Sequence, residues 1–103
     1  MVAQCVNARV GYSDKHSDVV IFAGSGSTGA VDRLARALGA HVPLPRGAPR
    51  NARPVVFVGP HEHHSNLLPW RESCALVVTI PEEGATGNLS VDALAAALKK
   101  YQS

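Results

Sequence analysis

Apolar and polar positions follow two different periods along this chain, and the switches between them predict the order of its elements. Asp18–Ala23 is a β-branched apolar run, the pattern of a strand buried on both faces. Gly24-Ser25-Gly26 ends it, and from Ser27 the period lengthens. Val31, Leu34 and Leu38 recur at spacings of three and four, Ala30, Ala35 and Ala37 add helix propensity, and Gly39 closes the helix. Pro54–Gly59 repeats the buried-strand pattern, and Ala75–Ile80 repeats it again. Between those two runs Ser65 or Asn66 is the expected cap of a short helix toward Cys74, with Pro69 in its first turn. A last helix is expected after Ser90 as N-cap, with Asp92 in the first turn, Leu94 and Leu98 on the buried face, and Lys99 and Lys100 near its end.

Two stretches fall outside this alternation. Residues 1–17, with Gly11, Ser13, Asp14 and Ser17, read as an irregular lead-in. Residues 40–53 carry Pro43, Pro45 and Pro49 together with Arg46, Arg50 and Arg53, and read as a connecting loop longer than most. The remaining order of strand, helix, strand, helix, strand, helix implies an α/β fold, an alternating segment with a parallel-rich sheet and packed helices. Pro81–Asn88, rich in Glu and Gly, is the turn before the last helix.

Composition narrows the function classes. A chain of 103 residues with 46% apolar and 17% charged positions suits one folded unit, or a piece of one, and argues against disorder. The net charge of +2 comes from scattered residues without a basic stripe, and aromatics are only 5%, so nucleic acid is not an expected partner. Cys5 and Cys74 match no CxxC spacing and read as reduced thiols. No apolar run approaches the roughly 20 residues of a membrane span. Met1–Val10 lacks a basic start followed by a long apolar core, so no signal peptide is expected, and the expected location is cytoplasmic.

Two motifs carry candidate chemistry. Gly24-Ser25-Gly26-Ser27-Thr28-Gly29 satisfies GxGxxG between a strand and a helix. Such a turn lets a phosphate approach the backbone, where the first helical amides, the helix dipole and the Ser27 and Thr28 hydroxyls can hold it. A dinucleotide site would need an acidic residue about 20 positions on. Between Arg36 and His61 there is none, which counts against NAD(P) while leaving it an alternative. The second motif places His61, Glu62, His63 and His64 at a strand end. His61 and His63 could share one face of an extended segment as metal ligands, yet no distant cysteine or carboxylate cluster completes a zinc site. The cluster could equally be a solvated loop, or one imidazole could lie flat on an aromatic cofactor whose phosphate sits at Gly26–Thr28.

The strings Val20-Ile21-Phe22-Ala23-Gly24-Ser25-Gly26-Ser27-Thr28-Gly29-Ala30-Val31 and Glu62-His63-His64-Ser65-Asn66-Leu67-Leu68-Pro69-Trp70-Arg71 together resemble the class V aminotransferases. Within that family the cysteine desulfurases are the nearest group, and the resemblance runs from about Ser17 to Tyr101. It implies a partial large domain of fold type I over residues 18–103, with pyridoxal phosphate as cofactor. It places Gly26, Ser27 and Thr28 at the cofactor phosphate, and His63 stacked on the pyridine ring with a role in proton transfer. It implies an amino-acid substrate and a homodimer for the parent enzyme, with no metal. His64 and Asn66 match motif positions without an assigned role, and Trp70 and Arg71 match as structural residues.

The chain also departs from the family. The lysine that attaches the cofactor, the aspartate that pairs with the ring nitrogen and the mobile-loop cysteine have no counterpart among these residues. Lys99, Lys100 and Cys74 do not match them. The expectation is therefore a fragment of such an enzyme that is inactive alone. The alternative is a non-catalytic phosphate-binding or interaction module, whose unpaired strand edges would favour self-association.

Overall fold

Residues 2–9, 17–49 and 52–102 are described by the computed structural model of the chain. Gly11, Ser13 and Asp14 of the expected lead-in, and Arg50 of the expected loop, lie outside them. The described elements, in chain order, are α1 (Val2–Cys5), α2 (Ser27–Ala37), β1 (Val55–Val58), α3 (His64–Arg71), β2 (Leu76–Thr79) and α4 (Val91–Tyr101). The fold class is mixed α/β, with a sheet of β1 and β2 in parallel.

The sheet forms where the sequence is most β-branched. Val55 pairs with Leu76 and Val58 with Thr79, and the ladder is extended by the Leu76 amide donating to the Pro54 carbonyl at 2.8 Å and the Ile80 amide to Val58 at 2.9 Å. Alternation along the strands sends Val56 and Val77 to one face and Phe57 and Val78 to the other. On the first face lie α2 and α3, whose small core joins Ala35, Ala40, Trp70 and Ala75, with Val31, Val56 and Val77 packed against it. On the second face the Phe57 ring meets Tyr101 of α4 edge-on, with centroids 5.9 Å apart.

One backbone contact fixes how α2 and α3 lie. Just past their ends, the Cys74 amide donates to the Ala40 carbonyl at 2.7 Å. This joins the segments just past the C-terminal ends of the two packed helices.

Several expectations need correction. Asp18–Ala23 is no strand: its backbone has no ladder partner among the described residues, and Val19, Ile21 and Phe22 are 78%, 68% and 82% exposed. An apolar run becomes a strand only when a neighbour takes its amides and carbonyls, and none lies beside it here. The lead-in contains the one-turn helix α1. Along α2, Val31 packs against the core and Ala35 is fully covered, while Leu34 and Leu38 are exposed. His63, not Ser65 or Asn66, caps α3, which puts Pro69 in the helix interior, where it is buried. Ser90 caps α4 as expected, its Oγ accepting from the Ala93 amide at 3.2 Å, but α4 has no buried residue and Leu98 is exposed.

No helix among the described residues is long and apolar enough to cross a membrane. Cys5 and Cys74 are both free thiols. The radius of gyration, 16.6 Å, exceeds the roughly 13 Å of a compact domain of about 100 residues, in keeping with so small a core. With so little else buried, Trp70 dominates the packing. Truncating it by Trp70→Ala is expected to cost about 3–5 kcal/mol and abolish any cooperative transition in urea followed by circular dichroism; a sigmoidal transition retained at the wild-type midpoint would contradict this arrangement of the core.

Candidate functional site

The glycine turn divides its three glycines between two tasks. Gly24 has φ +63°, a left-handed conformation that disfavours a side chain, and a Cβ there would stand 3.1 Å from the Gly29 Cα. A Cβ on Gly29 would meet the Gly24 Cα at 3.2 Å, so the turn closes glycine on glycine. Gly26 differs. Its backbone is extended, and a Cβ added to it would meet nothing within 4 Å. The fold does not require glycine there.

Helix α2 starts at that open position. The Ala30 amide donates to the Gly26 carbonyl at 3.2 Å, and no side chain caps the end. The amides of the first turn and the exposed Ser27 and Thr28 hydroxyls therefore face outward as donors beside the positive end of the dipole.

The loop after β1 is organised from Glu62. Its Oε1 accepts from the Gly59 amide at 3.3 Å, and its Oε2 accepts from Asn66 Nδ2 at 2.8 Å. Asn66 Oδ1 in turn accepts from Trp70 Nε1 at 3.4 Å. Asn66 and Trp70, four apart, share one side of α3, and Glu62 in the loop before the cap extends their bonds from the core to the strand end. The sequence shows the spacing of four but does not announce this chain of bonds.

The three histidines separate. His61 Nε2 lies 2.9 Å from Glu82 Oε2, bridging the loops after β1 and β2. His63 Nδ1 caps α3 by accepting from the Ser65 amide at 3.1 Å, and it lies 2.9 Å from Ser65 Oγ. An Nδ1 that accepts from an amide has no proton, so in the neutral ring the proton is on Nε2. His64 opens the helix, exposed, with its ring 6.4 Å from that of His63. His61 and His63 thus take different partners rather than converging on one point.

Ser27 and Thr28 begin α2 and His63 caps α3, the two helices packed together on one face of the sheet. No hydrogen bond or ring contact joins Ser27 or Thr28 to His63 among the described residues. Lys99 and Lys100 lie exposed in the last turn of α4, with Lys100 Nζ 5.5 Å from the Tyr101 ring centre. Cys74 is half-buried behind α3.

A hollow of about 570 Å³ runs from the glycine turn along α2, lined by Gly24, Gly29, Asp32, Arg33, Arg36 and Ala37. Ser27, Thr28 and His63 do not line it. Arg36 Nε donates to Asp32 Oδ2 at 2.8 Å, and this bond holds the Asp32 carboxyl below the ordinary aspartate value against a smaller opposing effect of lost solvation. His41 Nε2 lies 3.4 Å from Asp32 Oδ1 at an angle that makes no hydrogen bond, which leaves that enclosed nitrogen without one. Asp32 and Arg36 are thus committed to each other, and further donors lie at the glycine turn.

No family model, no curated protein and no solved structure matches this chain.

Asn66 is the hinge of the Glu62–Trp70 connection. Asn66→Ala removes both of its bonds and leaves the half-buried Glu62 short of a donor, with an expected loss of about 1–3 kcal/mol in chemical denaturation. A loss of no more than a few tenths would mean that the connection does not hold α3 in place.

Proposed function

We propose that this chain carries the phosphate-binding and ring-stacking part of a pyridoxal-phosphate site of the class V aminotransferase, cysteine desulfurase-like type, on a partial large domain of fold type I. The observation that supports this most is the uncapped start of α2 at Gly26, where an added Cβ would meet no protein atom and the first-turn amides face outward. The residues present fit the phosphate end of such a cofactor. Its dianion would take the amides after Gly26 and the Ser27 and Thr28 hydroxyls, beside the positive end of the α2 dipole. His63 caps α3 with its orientation fixed by the cap bond at Nδ1, which suits a ring that must lie flat on another. Nε2 is then the atom of His63 available to hold or pass a proton.

When bound, the cofactor supplies an electron sink for breaking bonds at the α-carbon of an amino acid, and the reaction class of the whole enzyme would be carbon–sulfur cleavage of cysteine or a related transformation. The sequence contains no match to the lysine that attaches the cofactor or to the aspartate that faces the ring nitrogen. These 103 residues by themselves are therefore proposed to hold the cofactor without a covalent bond and without turnover. The homodimer is proposed for the parent enzyme, and the cytoplasm is the proposed location.

The test is an NMR titration of the 103-residue chain with inorganic phosphate, pyridoxal phosphate, pyridoxal and NADP in separate arms. Phosphate and pyridoxal phosphate are expected to shift the Ser27 and Thr28 amides, and pyridoxal phosphate alone to shift the His63 ring as well. Gly26→Ala should weaken both by about tenfold or more with an unchanged circular dichroism spectrum, because the new methyl occupies the space of the anion and no space of the fold. Still amides at millimolar pyridoxal phosphate, or a response to NADP alone, would overturn the reading.

A further inference from the structure

The apolar run before the glycine turn has a fitting place on the sheet, and its own chain does not put it there. In β1 the carbonyls of Pro54 and Val58 accept from β2, so by the alternation of a parallel ladder Val55 and Phe57 turn their amides and carbonyls to the opposite, outer edge. No hydrogen bond reaches that edge from another described segment. An edge of this kind is a template for a further strand.

Topology says which strand suits it. Helices α2 and α3 lie on the same face of the sheet. Parallel crossovers are right-handed almost without exception, so connections on one face step across a sheet in one direction. If α3 leads from β1 to β2, then α2 leads into β1 from a strand on the side away from β2. The segment ahead of α2 is Val19-Val20-Ile21-Phe22, as long as β1 and apolar at every position. Apolar side chains on both sides are what a strand needs between the α2–α3 layer and the α4 layer.

Within the chain the run makes no ladder with β1, and it is tied to Arg9 at its front and closed by the glycine turn at its back. At the front, the Asp18 amide donates to the Arg9 carbonyl at 2.6 Å and the Arg9 amide donates to Asp18 Oδ2 at 2.8 Å. At the back, Gly24 is closed against Gly29. The run stands out between these points, exposed and unpaired.

We propose that Val19–Phe22 of one chain adds as a parallel strand to the outer edge of β1 in a second copy, and that two chains exchange these arms reciprocally. Each arm then finds the apolar cover and backbone partners it lacks, and each β1 loses its open edge. This proposal is independent of the cofactor reading, since neither Ser27, Thr28 nor His63 takes part.

Sedimentation of the wild-type chain across micromolar to submillimolar concentration is expected to show a reversible step from 10.8 kDa to twice that mass. Ile21→Lys with Phe22→Lys changes only side chains that are exposed in the single chain, and is expected to abolish the dimer while leaving the circular dichroism spectrum unchanged. Val55→Pro deletes one outward amide and no bond to β2, and is expected to weaken the dimer through the other partner. In a mixture of labelled and unlabelled chains, isotope-filtered NOEs should connect Phe22 with the β1 edge of the other copy. A wild-type monomer at every concentration, a dimer that survives both variants, or assemblies of no fixed size would each overturn the proposal.

Discussion

The contact on which this structure depends is the seam between α2 and α3. Ala35 and Ala40 on one side and Trp70 and Ala75 on the other bring two helices close enough for the Cys74 amide to reach the Ala40 carbonyl at 2.7 Å. Small residues let the backbones approach, and one large ring fills what remains. The two-stranded sheet beneath contributes only Val56 and Val77 to this core, and a pair of short strands is marginal by itself. Without the seam neither the glycine turn nor the loop after β1 would have a fixed position.

That seam ties structure to chemistry through Trp70. Its indole N–H leads to Asn66, Asn66 leads to Glu62, and Glu62 holds the Gly59 amide at the end of β1. The same short helix therefore anchors the core at one end and presents His63 at the other. The glycine turn is held differently, by the approach of Gly24 to Gly29. Two local devices, one of hydrogen bonds and one of missing side chains, leave an uncapped helix start at α2 and a fixed imidazole at the start of α3. A phosphate with an attached aromatic ring is a ligand that would use both.

Much of this is legible in the sequence, and the failures share a cause. β1, β2, α2 and α4 lie within a residue or two of where the apolar pattern puts them, because each has a strong local signal: β-branched runs for the strands, Ser90 and the glycine stops for the helices. Asp18–Ala23 carries an equally strong strand signal and forms none, since a strand depends on a neighbour that no local pattern can specify. The spacing along α2 includes Val31, which packs on the core, but does not show that Ala35 is covered while Leu34 and Leu38 are exposed. Hydrophobicity ranks leucine above alanine, whereas a close helix seam selects by size. The cap of α3 is displaced by two or three residues because His63 accepts an amide as an asparagine or serine would, a use of histidine that composition does not announce. Of the proposed site, the motifs single out Gly26, Ser27, Thr28 and His63, but the open space at Gly26 among the three glycines needs the backbone. Glu62 and Asn66 need the hydrogen bonds. Asp32, Arg36 and His41 have only an i, i+4 spacing as their signal.

The central claim is that the α2–α3 seam is the most stable part of the fold and orients both loops. Native-state hydrogen exchange at the Cys74 amide tests it most directly, with the Ile80 amide of the sheet as reference. Cys74 is expected to exchange only with global opening, as slowly as Ile80. Exchange of Cys74 at the rate of an open loop while Ile80 remains protected would contradict it.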